Sequence, residues 1–309
     1  MLNDFLLLIF SILLVMKGST LATAHAARLA EAFRWSKYTI GFIIIAIISI
    51  LPETFVAMNA AISGVPSFGL GTLFGSNVAD LTIVFFVIIL LAGRGIKIEN
   101  KILKGNRVFP LLLLLPILVG LDGTFSRLDG LVLLIVGAIF YALSFQRDAR
   151  RARLEIEKKG LWKHGIWFAI GMFLLLFGSY IIVASATALA RAAGVDPILI
   201  GMIIVGLGTT IPELMFSLKS VERRDDALAV GDILGTVLAD ATVVVGVLAL
   251  VAPFSVAREI VYVTGIFMVV ASVILLLLMR SGRVLTRKEG VFLLLFWVLF
   301  VFVELFVVR

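Results

Sequence analysis

The chain has no cysteine and only two histidines, His25 and His164, among its 309 residues. That leaves no disulfide and no thiol chemistry, and too few imidazoles for a histidine-built metal centre. Charge is scarce as well, at 15%, and it leaves runs such as residues 5–16, 108–119, 131–143 and 260–279 uninterrupted. Strand-type alternation is missing. So are a nucleophile–histidine pairing and a His-Glu-x-x-His motif, which argues against an intramembrane enzyme.

What the chain has instead is apolar surface. Hydrophobic residues make up 61% and mean hydropathy is +1.17, against about 45–50% apolar for a soluble domain. One soluble core cannot bury that excess, so lipid must solvate most of it. Lipid offers backbone groups no partners, which restricts spanning segments to helices or a closed barrel, and the missing alternation selects helices. Ten spans are predicted, over 3–27, 38–63, 67–92, 107–121, 128–146, 165–190, 198–218, 227–252, 260–279 and 290–308. The first apolar run starts after Asp4 without a basic leader and has no clear cleavage site, so it is expected to be a retained span.

The net charge of +7 follows topology and does not mark a nucleic-acid surface. Nearly all Lys and Arg fall in the loops after odd-numbered spans, including Arg94, Lys97, Arg223, Arg224 and Arg283. The opposite face has Arg127, Arg191, Arg258 and Arg309, and Lys17 lies within the first span. Basic loops stay in the cytoplasm, so both termini are expected outside, with membrane lipid as the neighbour of the basic face.

A second pattern has a period of 160. Ile40-Gly41 recurs as Ile200-Gly201, Pro52-Glu53 as Pro212-Glu213, Gly71 as Gly231, Gly75-Ser76 as Gly235-Thr236, and Ala79-Asp80 as Ala239-Asp240. Gly18-Ser19 matches Gly178-Ser179, and Gly130 matches Gly290. The expected fold is therefore an all-α membrane protein of two five-helix repeats, 1–147 and 165–309, joined by a cytoplasmic linker at 148–164. Five is odd, so the second repeat enters the membrane inverted, a plan that puts the transport site near the midplane.

The repeated residues have the chemistry of a cation site. A proline inside a spanning helix removes a donor and clashes with the preceding turn, so helices 2 and 7 are expected to break at Pro52 and Pro212. The breaks free carbonyls near 46–49 and 206–209, tolerated at that depth only if buried or facing a cation or water. Glu53 and Glu213 follow the breaks, with the hydroxyls of Ser49, Thr209 and Thr210 beside them. Ser76 and Asp80 share a helix face, as do Thr236 and Asp240, because each pair is four residues apart; Asn77 lies near the same face. Carboxylate, hydroxyl and carbonyl oxygens are ligands for hard cations. Gly69, Gly71, Gly75, Gly231 and Gly235 allow close helix packing. Two charges stand outside the repeat: Lys17, opposite Phe177, either snorkels or neutralises the acidic centre, and Asp232, opposite Thr72, either lines the cytoplasmic path or bonds a nearby loop.

On these motifs the chain resembles the cation/Ca²⁺ exchanger superfamily, and most of all the prokaryotic sodium/calcium exchangers. Gly208-Thr209-Thr210-Ile211-Pro212-Glu213 resembles the family's Gly-Thr-Ser-Leu-Pro-Glu signature, and residues 231–240 resemble its partner motif. The resemblance implies Glu53 and Glu213 as central Ca²⁺ ligands, completed by Asp80 and Asp240. It implies Thr209, Ser76 and Thr236 as hydroxyl ligands and Ala46 and Gly206 as carbonyl ligands. The first repeat departs from the signature, with Ile48 in place of Gly and Ile50 in place of a hydroxyl residue. The implied activity is Ca²⁺/Na⁺ antiport by a monomeric unit without a cofactor. Ca²⁺/H⁺ exchange, K⁺ linkage or another divalent cargo are the alternatives, and a cation channel is a more distant one.

Overall fold

The computed structural model describes residues 2–32, 49–99, 103, 108–149 and 161–307. Helix α1 spans Leu2–Ala32 and α2 spans Leu51–Ile62. Helix α3 runs from Pro66–Ala79 through a π-helical turn at Asp80–Val84 into Phe85–Leu91. Helix α4 covers Phe109–Val119, α5 Arg127–Ala149 and α6 Leu161–Ala193. Helix α7 is segmented into Pro197–Ile200, a π turn at Gly201–Val205, Gly206–Thr209 and, after a break, Ile211–Glu222. Helix α8 repeats the form of α3, with Asp226–Ala239, a π turn at Asp240–Val244 and Val245–Val251. Helices α9 (Arg258–Gly282) and α10 (Arg287–Val307) complete the chain. Among the described residues, seven helices are long and apolar enough to cross a membrane. The expected linker lies mostly outside the described residues, as do Gly41, Ala46, Ile48 and the first half of the second span.

Two expectations are corrected. The fourth span, expected over 107–121, is a helix of two five-residue pieces, Phe109–Leu113 and Leu115–Val119. Pro116 cannot donate to the carbonyl one turn earlier, so the helix turns at Leu114. At 1.5 Å per residue it covers roughly half the hydrocarbon thickness. Helices 2 and 7 turn at Ile50 and Thr210, two residues before each proline, and the prolines sit in the first turn of the restarted helix, where a missing N–H costs no hydrogen bond. Short strands are also present: β1 (Ile96–Lys97) pairs with β4 (Val284–Leu285), and β2 (Thr124–Phe125) with β3 (Phe254–Ser255), both antiparallel.

Several contacts obey one exchange rule, in which a residue i against j has a counterpart at i+160 against j−160. A Cβ on Gly18 would lie 2.9 Å from the carbonyl oxygen of Gly171, and one on Gly178 would lie 3.3 Å from that of Ser11. Gly130 meets the backbone of Gly246, and Gly290 that of Phe86. At the start of α5 the Asp129 carboxylate accepts from Ser126 N–H and Oγ (2.8 and 2.7 Å), and at the start of α10 Glu289 accepts from Thr286 in the same way (2.7 and 2.8 Å). These are reciprocal caps on otherwise orphaned N–H groups.

One clasp breaks the rule. Arg94 forks onto Asp226 (2.8 and 2.5 Å) and donates to the Val221 and Gly95 carbonyls, while Lys97 N–H donates to Asp226 at 2.8 Å. This ties the α7–α8 turn to the segment after α3. Hydrogen bonds to charged groups contribute about 1.5–3 kcal/mol each, and partial exposure of Arg94 reduces that. Asp226→Asn is expected to lower the melting temperature measurably in detergent; an unchanged melting point would show that the clasp contributes nothing.

Candidate functional site

The first turns of α2 and restarted α7 each contain a buried glutamate, Glu53 and Glu213, both 1% exposed. First-turn N–H groups lack intrahelical partners and form the positive end of the helix dipole, which favours a carboxylate there. Asp80 and Asp240 open the π turns of α3 and α8. Such turns insert an extra residue into the helix and recur at functional positions.

Close packing of α3 on α7 brings these elements together. A Cβ on Gly71 would meet Ile198, and one on Gly75 would meet the Met202 backbone. From the other side, Gly201 faces Phe68 and Gly206 faces Ser76 N. Gly69 likewise admits the backbone of Ala57.

The acids of both halves then form one electrostatic group. Glu213 is repelled by Glu53, Asp80 and Asp232, and Asp240 by Glu53 and Asp80. Asp80 lies within electrostatic range of Glu53 and Asp232. Among the described residues, no three acids stand close enough to chelate a metal ion unaided, so hydroxyl, amide or backbone oxygens would have to complete any cation shell. Buried oxygens without hydrogen-bond partners are concentrated here: Glu53 Oε2, Asp80 Oδ1, both oxygens of Glu213 and of Asp240, Asn77 Oδ1 and Thr236 Oγ1. Buried polar atoms are normally paired, and this set has the donor chemistry of Ca²⁺ or Na⁺.

The Thr209 hydroxyl sits against Glu53 and lies 3.1 Å from the Gly206 carbonyl; one proton serves one of them at a time. Gly206 O also accepts from Thr210 N–H at 3.3 Å, so this carbonyl is engaged. The Thr210 hydroxyl donates to Leu207 O and that of Ser76 to Leu73 O, both at 3.0 Å. Asn77 presents Nδ2 to the Met268 sulfur at 3.5 Å. Ser49 Oγ donates to Asp232 at 3.1 Å. Ala46 lies outside the described residues.

Asp232 is fully buried and joined to Ser49 of the first half and Ser217 (3.5 Å) of the second, which makes it a fifth acid of the group and not a loop cap. Its counterpart Thr72 donates to its own helix at Phe68 O. Lys17 is exposed, as is its counterpart Phe177, so it is no internal ammonium for the acids. Sequence reasoning missed Glu304, which is fully buried on α10 and accepts from Thr264 at 2.6 Å, leaving Oε2 without a partner. An acid in an apolar span is itself a signal, but the repeat has Ser144 at the matching position.

Buried acids from both halves, within electrostatic range of one another among apolar helices, define a membrane protein suited to cations. The family model described as sodium/calcium exchanger protein matches residues 3–146 and 163–306; the chain belongs to that family, whose members are transporters and not enzymes. The matched stretches begin and end 160 residues apart, the period of the motifs. CaxA of Alkalimonas amylolytica, whose antiporter designation is itself provisional, is 30% identical over 87% of this chain and 88% of its own length. Sodium/calcium exchanger MaX1 of Methanosarcina acetivorans is 22% identical over 98% and 99%. Among solved structures, the sodium-calcium exchanger NCX_Mj soaked with Na⁺ and Sr²⁺ aligns with a TM-score of 0.71 and 25% identity, over 100% of this chain and 98% of that one.

Proposed function

We propose that the protein is a secondary antiporter that exchanges Ca²⁺ for Na⁺ at the buried acidic centre. The observation that carries this reading is the set of unpartnered oxygens on acids from both halves. Like charges in a low-dielectric interior repel strongly, and cations entering the centre relieve that repulsion. Glu53 and Glu213 are the central Ca²⁺ ligands, with Asp80, Asp240 and Asn77 around them. Thr209, Thr236, Ser76, Ser49 and Thr210 supply hydroxyls, the carbonyl of Ala46 offers Na⁺ a further oxygen, and that of Gly206 would do so only by giving up the hydrogen bonds it now accepts. Both ions use overlapping donors, so each excludes the other, which is the condition for exchange.

The exchange rule among contacts supports ten helices, α4 among them as a partial crossing, arranged as two inverted five-helix repeats, 1–147 and 165–309, with 148–164 as the cytoplasmic connector and both termini outside. Helices α1 and α6 pack on each other through Gly18, Gly171 and Gly178, and much of their surface, including Phe5, Phe10, Phe173 and Phe177, is exposed and apolar. Sliding of this pair past the other helices would open the site to either side in turn, within one monomer.

Ca²⁺/H⁺ exchange is favoured by one observation. Ile50 occupies the turn of α2 where Thr210 occupies the turn of α7, so one half of the site has an oxygen fewer for Na⁺. The two readings separate in proteoliposomes. Vesicles loaded with Na⁺ and diluted into Na⁺-free buffer are expected to accumulate radiolabelled Ca²⁺, and a Na⁺ ionophore is expected to stop it. Uptake driven by a pH gradient and indifferent to Na⁺ would replace the first reading with the second. Large unsaturable conductance would replace both with a channel.

A further inference from the structure

We propose a second metal site, outside the acidic centre, formed by His25 and His164 and selective for nitrogen-preferring transition-metal ions of the Ni²⁺/Cu²⁺ class. The two histidines lie 139 residues apart in sequence, yet their Nδ1 atoms stand 2.9 Å apart. Helices α1 and α6 run antiparallel, and their seam explains the meeting. Ser11 meets Gly178 and Gly18 meets Gly171; seven residues further along α1 and seven back along α6 come His25 and His164. A seven-residue step returns to nearly the same helix face. The glycine contacts bring the two backbones close together, so the seam brings both imidazoles to one point. His25 is also fixed by Trp167, whose ring stacks on it at 6.0 Å and 14°.

The geometry suits a cis pair of ligands. Imidazole nitrogens bind first-row metals at about 2.0–2.1 Å, and two nitrogens 2.9 Å apart subtend roughly 90° at such an ion. That is the cis angle of tetragonal or octahedral coordination, the habit of Cu²⁺ and Ni²⁺; tetrahedral zinc needs a wider one. No third His, Cys, Asp or Glu joins the pair among the described residues, so water completes the shell, and both rings are partly accessible to it. Ca²⁺ and Na⁺ take oxygen ligands and are not cargo for this pair. Composition argues against a histidine-built metal centre, and this two-point chelate departs from that expectation because the seam brings the only two histidines together. The exchange rule places Asp4 and Ser185 at the other end of the seam, so the site exists once per chain. The 2.9 Å approach is that of a ring N–H···N hydrogen bond, its direction set by the tautomers.

The test uses the full-length protein in detergent and NiCl₂ alone as the probe. Calorimetry is expected to give one tight Ni²⁺ per chain, with quenching of Trp167 fluorescence and no displacement by excess Ca²⁺. A second ligand on a rigid seam makes the second bond intramolecular, so His25→Ala and His164→Ala are each expected to weaken binding about 100-fold. Trp167→Phe is expected to keep the binding and lose the quench. His25→Gln and His164→Gln, which keep a polar side chain, guard against a packing defect and should weaken binding equally. Undiminished Ni²⁺ affinity in these variants would overturn the proposal and leave the pair as a hydrogen bond. None of these readouts requires transport, so failure here is distinct from failure of the exchange reading.

Discussion

Glu213→Gln is expected to reduce Na⁺-driven Ca²⁺ uptake by roughly 30-fold or more, because losing one partner of a buried charged contact costs about 2–5 kcal/mol. The substitution keeps the shape of the side chain and its place in the first turn of restarted α7. It removes one negative charge from a group in which Glu53, Asp80 and Asp232 all act electrostatically on Glu213. In the absence of cations that loss is relief, since both Glu213 oxygens are buried without partners. The variant should therefore fold as well as the parent, and the two effects separate in one measurement. A ligand that binds the folded state stabilises it by about 2.7 kcal/mol at 100 times its dissociation constant, so the parent's melting temperature should climb with Ca²⁺ while the variant's should stay flat. Glu53→Gln should behave alike, being the same residue under the exchange rule. A variant that keeps its Ca²⁺-dependent shift would place the cation elsewhere.

The extent of sequence legibility follows from what each residue depends on. Pro52-Glu53 and Pro212-Glu213 announce themselves because proline acts locally, and the constant offset of 160 makes coincidence implausible. The long apolar runs announce their helices for the same reason. Residues whose role depends on register are silent. Nothing local distinguishes residues 80–84 and 240–244 from ordinary helix, so their π turns are not legible in the sequence. Asp232 could be seen as an unmatched acid, but its bond to Ser49, 183 positions away, could not. The meeting of His25 with His164 requires the antiparallel seam of α1 and α6 first. The shortness of α4 was written in Pro110 and Pro116, and apolarity alone masked it. Glu304 was visible as an acid in an apolar span but had no partner in the repeat to draw attention to it.

Gly75→Ala is expected to cost nearly as much transport as removing a glutamate, although it adds no charge and touches no ion. A Cβ at this position would lie 2.0 Å from the Met202 carbonyl oxygen and 2.7 Å from the Met202 carbonyl carbon and Cα. All three are backbone atoms of the π turn at Gly201–Val205, so no flexible side chain can swing away. Helices α3 and α7 would have to part by about an ångström or more. Overpacking of this kind typically costs about 1–3 kcal/mol, and here the strain falls on the site. Ser76 is the next residue, and Gly206 lies against its N–H, so separation pulls the α3 oxygens away from Thr209 and Glu213. The measurement is Na⁺-driven Ca²⁺ uptake per folded molecule, with Gly282→Ala as the comparison. A methyl group added at Gly282 would meet nothing within 4 Å, and alanine is the better helix former by about 1 kcal/mol, so that variant should transport normally. Normal uptake by Gly75→Ala would mean that α3 and α7 are not pressed together while ions pass, and that the acids of the two halves do not share one site.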